Sequence, residues 1–295
     1  MLIAGKESPS VLLTGRTGQI GSELERQLAP LVQLTALDRR QLDLEKPNLA
    51  QNVVRDIRPA VIINAAAYTS VDQAEREPER ACSINAESVG GLAAEAGRIG
   101  ALLVHYSTDY VFDGSKPTPY EESDIPNPLN VYGKTKLAGE QAIKDWGCFY
   151  LIIRTTWIYA ATGKNFVRTI ARLAQAEPEL KIVDDQRGAP TSANDVANAT
   201  LQILAQISPD ARHLYHVTAA GETTWYGLAK EVVAELALRK HPTARLKPIT
   251  TAEYPVLAQR PLNSLLSNET VERDFGIRMP HWSESLQRTL RQLVT

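Results

Sequence analysis

Short apolar runs alternate with helix-like stretches through the first half of this chain, and that alternation limits the fold more than any other feature. Val11-Leu12-Leu13-Thr14 reads as a strand closed by Gly15, and Gln19 to Leu28 as a helix. Gln33 to Asp38 is a second strand, and Asn48 to Ile57 a helix ended at Arg58-Pro59. Val61-Ile62-Ile63-Asn64 is a short strand, followed by a long helical pattern from Pro78 to Arg98. Ala101 to Ser107, Tyr132 to Trp146 and Phe149 to Arg154 then read as strand, helix and strand. Strands that are apolar on both faces need cover on both sides, and intervening helices supply it. Right-handed crossovers turn such a series into an α/β fold with a doubly wound parallel sheet, the Rossmann arrangement, whose ligands sit at the carboxyl edge.

From about Trp157 the alternation loosens. Phe166 to Ala176 and Ser192 to Ala205 read as helices, with Lys181-Ile182-Val183 extended between them. His213 to Val217 fits a late strand of the same sheet, and Trp225 to Leu238 a helix beyond it. The expected division is a dinucleotide-binding domain over 10–156, with 192–218 returning to it. A smaller substrate-binding lobe then takes 157–191 and 219–295. The loop from Phe112 to Asn130 carries Pro117, Pro119, Pro126 and Pro128. Its length beside a sheet edge suggests a functional wall or lid.

Composition excludes more than it assigns. A net charge of -2 gives no electrostatic footing for nucleic acid or an anionic membrane surface. Cys82 and Cys148 show no ligand spacing, and neither do His105, His213, His216, His241 and His281. Residues 1–10 lack the basic start and apolar run of a signal peptide, and no segment has the ~18 apolar residues of a membrane span. The cytoplasm is the expected location.

Several constellations carry chemistry. In Thr14-Gly15-Arg16-Thr17-Gly18-Gln19-Ile20-Gly21 a glycine loop joins a strand to a helix. Glycines let the backbone approach a pyrophosphate, and the helix N-terminus offers free N–H groups. Asp38 stands seventeen residues after Gly21, where an acid can bind the ribose 2′-hydroxyl of NAD. Arg39, Arg40 and Arg16 could instead hold the 2′-phosphate of NADP, so the choice stays open. Asn64-Ala65-Ala66-Ala67 ends the third strand with side chains small enough for a cofactor to lie close, although core packing explains alanines equally well.

The remaining constellation is Tyr132-Gly133-Lys134-Thr135-Lys136. Positions i and i+4 share a helix face, so Tyr132 and Lys136 can point into one site. A nearby ammonium is expected to lower the phenol towards neutral pH. The spacing alone is weak, because Tyr226 and Lys230 repeat it. Tyr132 is preferred because its helix follows the strand ending in Ser107-Thr108 on the sheet's ligand edge. A hydroxyl there can polarise a carbonyl as charge develops. Alternation puts Ser107 and Thr108 on opposite faces, so one of them is structural.

With these residues assembled, the chain resembles the extended short-chain dehydrogenase/reductases. Within them it is similar to the branch that completes dTDP-L-rhamnose synthesis. The resemblance runs from Val11 to the C-terminal helix. It is carried by the glycine loop, by Val61 through Asp72, by His105-Tyr106-Ser107-Thr108-Asp109-Tyr110-Val111-Phe112, by Pro128 through Glu140, and by Asp185-Gln186-Arg187-Gly188-Ala189-Pro190-Thr191. Arg260-Pro261-Leu262-Asn263-Ser264 keeps part of a further pattern, from which Leu266 departs.

The resemblance implies reduction of the 4-keto group of dTDP-4-dehydro-L-rhamnose by hydride from NADPH or NADH. It implies that Thr108, not Ser107, joins Tyr132 and Lys136 in the catalytic group. It implies nucleotide-sugar contacts from Thr108, Asp109 and Trp157. It sets Gly18, Gln19, Ile20, Asp38, Asp43, Leu44, Ala67, Tyr68 and Thr69 around the dinucleotide, beside Gly15, Gly21, Arg39, Ala65 and Ala66. Some relatives form homodimers bridged by magnesium through glutamates. Glu23 fits one such position, whereas Asn194 stands where a second acid is expected. Other relatives are epimerases, 4,6-dehydratases or non-catalytic regulatory subunits. A dehydratase commonly has Asp-Glu after the threonine, where this chain has Asp109-Tyr110.

Overall fold

The computed structural model describes residues 8–208 and 210–293. The signal-peptide reading of the N-terminus falls mainly on 1–7, outside the described residues. Six parallel strands form the central sheet in the order β10-β5-β4-β3-β1-β2. They are β1 (Ser10–Thr14), β2 (Gln33–Leu37), β3 (Val61–Asn64), β4 (Leu102–Thr108), β5 (Phe149–Thr155) and β10 (Arg212–His216). The direction of winding reverses between β1 and β3, which both pair in register with each other along Val11–Thr14 and Val61–Asn64. A crevice opens at such a switch point, outside the carboxyl ends of the strands.

The period of two along each strand sorts the side chains into two cores. Val11, Leu13, Val61, Ile63, Leu102 and Val104 face α1 (Gln19–Leu28) and α8 (Ala193–Leu204). Leu12, Ile62, Leu103 and Ile152 face α2 (Pro47–Ile57), α5 (Ser88–Ile99) and α6 (Val131–Trp146). Each fully buried leucine or isoleucine contributes ~1.5–3 kcal/mol. Among the described residues no helix is long and apolar enough to cross a membrane.

The stretch expected to be helical from Pro78 to Arg98 is helical throughout, but it is not a single α-helix. Short α3 (Val71–Ala74) precedes α4 (Pro78–Cys82), and a π-helical turn over Ser83–Glu87 separates α4 from α5. The wider turn lets Asn85 reach back to Tyr68: its Oδ1 accepts the Tyr68 N–H at 2.8 Å, and its Nδ2 donates to the Tyr68 carbonyl at 3.1 Å. Such π turns are common beside functional sites.

The C-terminal part contains β6 (Ile158–Tyr159), α7 (Phe166–Ala176), β7 (Glu179–Val183), β8 (Arg187–Gly188) and β9 (Thr191–Ser192). After β10 follow β11 (Thr223–Thr224), α9 (Trp225–Leu238), β12 (Arg245–Ile249), α10 (Glu269–Phe275) and α11 (Trp282–Leu293). A third core gathers Val167, Ile170, Leu228, Val232, Trp282 and Leu286.

The loop from Phe112 to Asn130 is not a wall of the crevice. It is tied to the C-terminal segment, with the Tyr120 N–H donating to the Leu265 carbonyl at 2.8 Å and Phe112 stacked on Tyr120 at 4.1 Å. Asp113 holds its turn by accepting from Ser115, Tyr120 and Asn127.

Candidate active site

The crevice is a cleft of about 910 Å³, lined at one end by Gly15, Gly18, Gln19 and Ile20 and at the other by Thr108, Asp109 and Tyr132. Gly15 has φ +76°, and a Cβ there would sit 2.7 Å from the Ala66 nitrogen. Glycine and the small Ala65 and Ala66 are therefore one packing solution. A Cβ on Gly21 would lie 2.0 Å from the Gly15 carbonyl oxygen, so Gly21 shapes the loop from behind and does not line the cleft. Gly18 caps α1 without a side chain, which leaves the helix N-terminus open to an anion.

Ala65, Ala66, Ala67, Tyr68, Thr69, Arg39, Asp43 and Leu44 also line the cleft. Asp38 does not. Its Oδ1 accepts the backbone N–H groups of Arg40 at 2.8 Å and Gln41 at 3.1 Å, which turns the carboxylate into its own turn. Arg39 pairs with Glu45 and approaches Asp43 at 3.5 Å. Arg80, which nothing in the sequence singled out, also enters the cleft, paired with Glu45 at 2.6 Å and Glu77 at 2.9 Å.

β4 sets its two hydroxyls on different partners, although both Ser107 and Thr108 border the cleft. Ser107 faces α6, where its Oγ donates to Glu140 at 2.5 Å. Thr108 lines the cleft, and its Oγ1 accepts the Tyr110 N–H and donates to Asp109 Oδ1, both at 3.1 Å. Glu140 also accepts from Nε and Nη2 of the buried Arg154, at 2.8 and 2.7 Å, which fixes α6 against β5.

Tyr132 lies in the first turn of α6, where Asn130 caps the helix by accepting the Gly133 N–H at 2.8 Å. A Cβ on Gly133 would come 2.1 Å from the Tyr110 carbonyl oxygen, so the close approach of the two segments requires glycine. The Tyr110 and Tyr132 rings meet edge to face at 5.7 Å. Lys136 lies a turn further on, with its Nζ donating to the Tyr106 carbonyl at 2.6 Å and 3.1 Å from His105 Nε2. Behind it, His105 Nδ1 lies 3.1 Å from Asn64 Nδ2, and Asn64 Oδ1 accepts the Thr14 hydroxyl at 2.7 Å. Burial, reinforced by the Lys136 charge, keeps the imidazole of His105 neutral by pushing its pKa well down.

The expected lowering of the Tyr132 phenol is absent. Burial pushes it up to about 12, with the Asp109 charge adding and a hydrogen bond from Thr108 opposing. The physical reason is that the Lys136 ammonium is directed at Tyr106 and His105. Burial pulls Lys136 down to about 8 against the charge of Glu140. Burial pushes Asp109 up to about 6, and the Thr108 hydroxyl on its Oδ1 opposes this. Its Oδ2, with Thr155 Oγ1 and Thr156 Oγ1, is buried without a hydrogen-bond partner.

Trp157 lines the cleft next to these groups, whereas Tyr226 and Lys230 do not: Lys230 lies over the Tyr226 ring at 6.0 Å in α9. Glu23 is bound by Arg26, whose Nη2 also donates to Asn194 Oδ1 at 2.9 Å. A guanidinium thus stands between the two residues that a bridging magnesium would need, and they do not fit a divalent cation. Among the described residues no cluster of three acidic, histidine or cysteine side chains could hold a metal.

A glycine loop at the switch point of a parallel sheet, with Thr108, Tyr132 and Lys136 along the same edge, defines an extended short-chain dehydrogenase/reductase. Residues 9–295 match the family model described as the RmlD substrate binding domain. The chain is 46% identical to the dTDP-4-dehydrorhamnose reductase of Burkholderia thailandensis, over 97% of this chain and 99% of that one. It is 45% identical to the dTDP-4-dehydrorhamnose reductase of Escherichia coli K12, over 97% and 98%. The crystal structure of dTDP-4-dehydrorhamnose reductase from Bacillus anthracis, in complex with NADP, superposes with a TM-score of 0.90 at 35% identity, covering 97% of this chain and 99% of that one. The chain belongs to the dTDP-4-dehydrorhamnose reductase family.

Proposed function

We propose that this protein reduces the 4-keto group of dTDP-4-dehydro-L-rhamnose to give dTDP-L-rhamnose, using NADPH or NADH. The observation that carries the reading is the convergence of Thr108, Tyr132 and Lys136 on the cleft that begins at the glycine loop. The cleft fits a dinucleotide, since Cβ atoms at Gly15 and Gly21 would collide with backbone and the N-terminus of α1 is uncapped by any side chain. Gly15, Gly18, Gln19, Ile20, Ala65, Ala66, Ala67, Tyr68 and Thr69 would hold it, with Asp43 and Leu44 at the adenosine end. Arg39 and Arg80 give a 2′-phosphate two guanidinium groups to approach, and Asp38 acts by shaping that turn.

Bound nicotinamide supplies the hydride. Tyr132, protonated at neutral pH because burial raises its pKa to about 12, donates its phenolic proton to the oxygen that becomes the sugar hydroxyl. Thr108 turns its hydroxyl from Asp109 to the same oxygen and stabilises the developing charge. Lys136, a turn further along α6 with its ammonium fixed on the Tyr106 carbonyl, would hold the nicotinamide ribose, and the phenolate left on Tyr132 regains its proton from solvent. Asp109, Thr155 and Thr156 offer unpartnered oxygens to the sugar and nucleotide.

The division into a dinucleotide domain over 10–156 with 192–218, and a substrate lobe over 157–191 and 219–295, follows from the same reading. β10 supports it by joining the central sheet beside β5. Two free cysteines accord with a cytoplasmic enzyme. Tyr110 in place of a second acid disfavours dehydration, and the retained catalytic trio disfavours a purely regulatory subunit. The test incubates the purified chain with dTDP-4-dehydro-L-rhamnose and NADPH, then NADH, and follows nicotinamide absorbance. Stoichiometric oxidation with formation of dTDP-L-rhamnose is expected; oxidation of neither cofactor refutes the reading.

A further inference from the structure

The segment Asp185-Gln186-Arg187-Gly188-Ala189-Pro190-Thr191 takes no part in the chemistry of Tyr132. It lies instead against two indoles. Trp157 and Trp225 stack with centroids 3.6 Å apart and planes 12° from parallel, and both line the cleft. They come from different parts of the chain. Trp157 follows β5, whose last residue Thr155 is level with Thr108 of β4. Trp225 is the first residue of α9.

Gln186, Gly188 and Phe166 seat the pair. Gln186 Oε1 accepts the Trp225 indole N–H at 3.1 Å, and its Nε2 donates to Thr251 at 3.0 Å. A Cβ on Gly188 would come 2.5 Å from Trp157 Cε2, so only glycine leaves room for the ring. Phe166 packs on Trp225 at 4.6 Å. Trp157 itself has φ +45°, a left-handed conformation that bulky residues adopt only when their surroundings hold them there.

We propose that Trp225 is a positioning residue: by stacking on Trp157 it holds that indole as a preset wall for the sugar, so that sugar-nucleotide affinity is set from the C-terminal lobe. The proposal rests on the nucleotide-sugar reductase reading. With Trp225 on one face and Gly188 against the other, the Trp157 indole offers its edge to the apolar face of a pyranose, two residues beyond Thr155, the strand partner of Thr108. Gln186 and Gly188 belong to the same device, one holding Trp225 in place and the other clearing space for Trp157.

The test uses Trp225→Ala, Trp225→Phe and Gly188→Ala in the full chain. Stacked indoles give an exciton couplet in far-ultraviolet circular dichroism. It should be present in the unmodified protein and absent from both Trp225 variants. Calorimetry with dTDP-L-rhamnose in the presence of NADP should show Trp225→Ala binding about tenfold more weakly, the worth of one aromatic stack. Trp225→Phe should recover part of that loss, and Gly188→Ala should weaken binding although both indoles remain. NADP affinity should be unchanged throughout. Unaltered dTDP-L-rhamnose affinity in Trp225→Ala overturns the positioning role, and so does an equal loss of both affinities. No binding of dTDP-L-rhamnose by the unmodified protein overturns the reductase reading, and this proposal with it.

Discussion

Glu140→Gln should lower the melting temperature sharply, because the side chain that anchors the catalytic helix is a buried charge with a buried counterion. Glu140 is 0% and Arg154 2% exposed. Glu140 accepts from Arg154 Nε at 2.8 Å, from Arg154 Nη2 at 2.7 Å and from Ser107 at 2.5 Å. Arg154 Nη1 already lacks a partner, so the guanidinium has no second acceptor to turn to. Glutamine keeps the volume but removes the charge and sets an amide N–H against a guanidinium N–H. Breaking one side of such a pair costs ~3–5 kcal/mol. At ~2–4 °C per kcal/mol for a domain of this scale, the midpoint should fall by roughly 6–20 °C. Thermal unfolding followed by circular dichroism reads this directly. The double replacement Glu140→Leu with Arg154→Met should recover most of the loss, because apolar groups of similar volume need no counterion. A Glu140→Gln midpoint within about 2 °C of the parent would show that the pair does not anchor α6.

Gly21→Ala should weaken NADPH binding by roughly tenfold or more, since its Cβ would lie 2.0 Å from the Gly15 oxygen and overpacking costs ~1–3 kcal/mol. Gly100→Ala, where nothing lies within 4 Å, should leave NADPH binding unchanged. The sugar-nucleotide KM should change through about pH 6 as Asp109 ionises, and Asp109→Asn should remove that step. Lys136 has its pKa lowered to about 8 against an ordinary 10.5, so the folded state holds fewer protons than the unfolded one between those values. Stability relative to Lys136→Met should therefore rise from pH 8 to pH 10.5, by on the order of 3 kcal/mol in denaturant titrations; a flat difference would contradict the buried ammonium.

The sheet was legible because its strands are apolar on both faces and its helices alternate with them. The boundaries of α7 and α9 in the structure are those expected from the pattern. The π turn at Ser83–Glu87 was not legible, since it preserves helical composition and only the tertiary pairing of Asn85 with Tyr68 requires it. The proline-rich loop read as a wall because of its length. Its partners, Leu265 and His216, are about a hundred residues or more further along and gave no local sign. Within the site, Tyr132 and Lys136 were picked out by spacing and strand position, whereas the choice of Thr108 over Ser107 came from the resemblance alone, and the structure brings all three to one cleft. The direction of the Tyr132 shift was not, because it depends on burial and on the carbonyl that Lys136 chooses. The turn that Asp38 makes with its own carboxylate was likewise not legible, since it depends on the backbone N–H groups that follow it. Trp225 carried no signal, because a tryptophan opening a late helix looks like core until its partner Trp157 is in place.

The central claim is that Tyr132 supplies the proton for carbonyl reduction in the cleft. The most direct measurement compares the unmodified chain with Tyr132→Phe for oxidation of NADPH by dTDP-4-dehydro-L-rhamnose, alongside NADPH affinity by fluorescence. Turnover should fall by ~100-fold to 10,000-fold, the usual worth of a positioned acid, with NADPH binding retained. Turnover by Tyr132→Phe at the parent rate, with the cofactor bound as before, would contradict it.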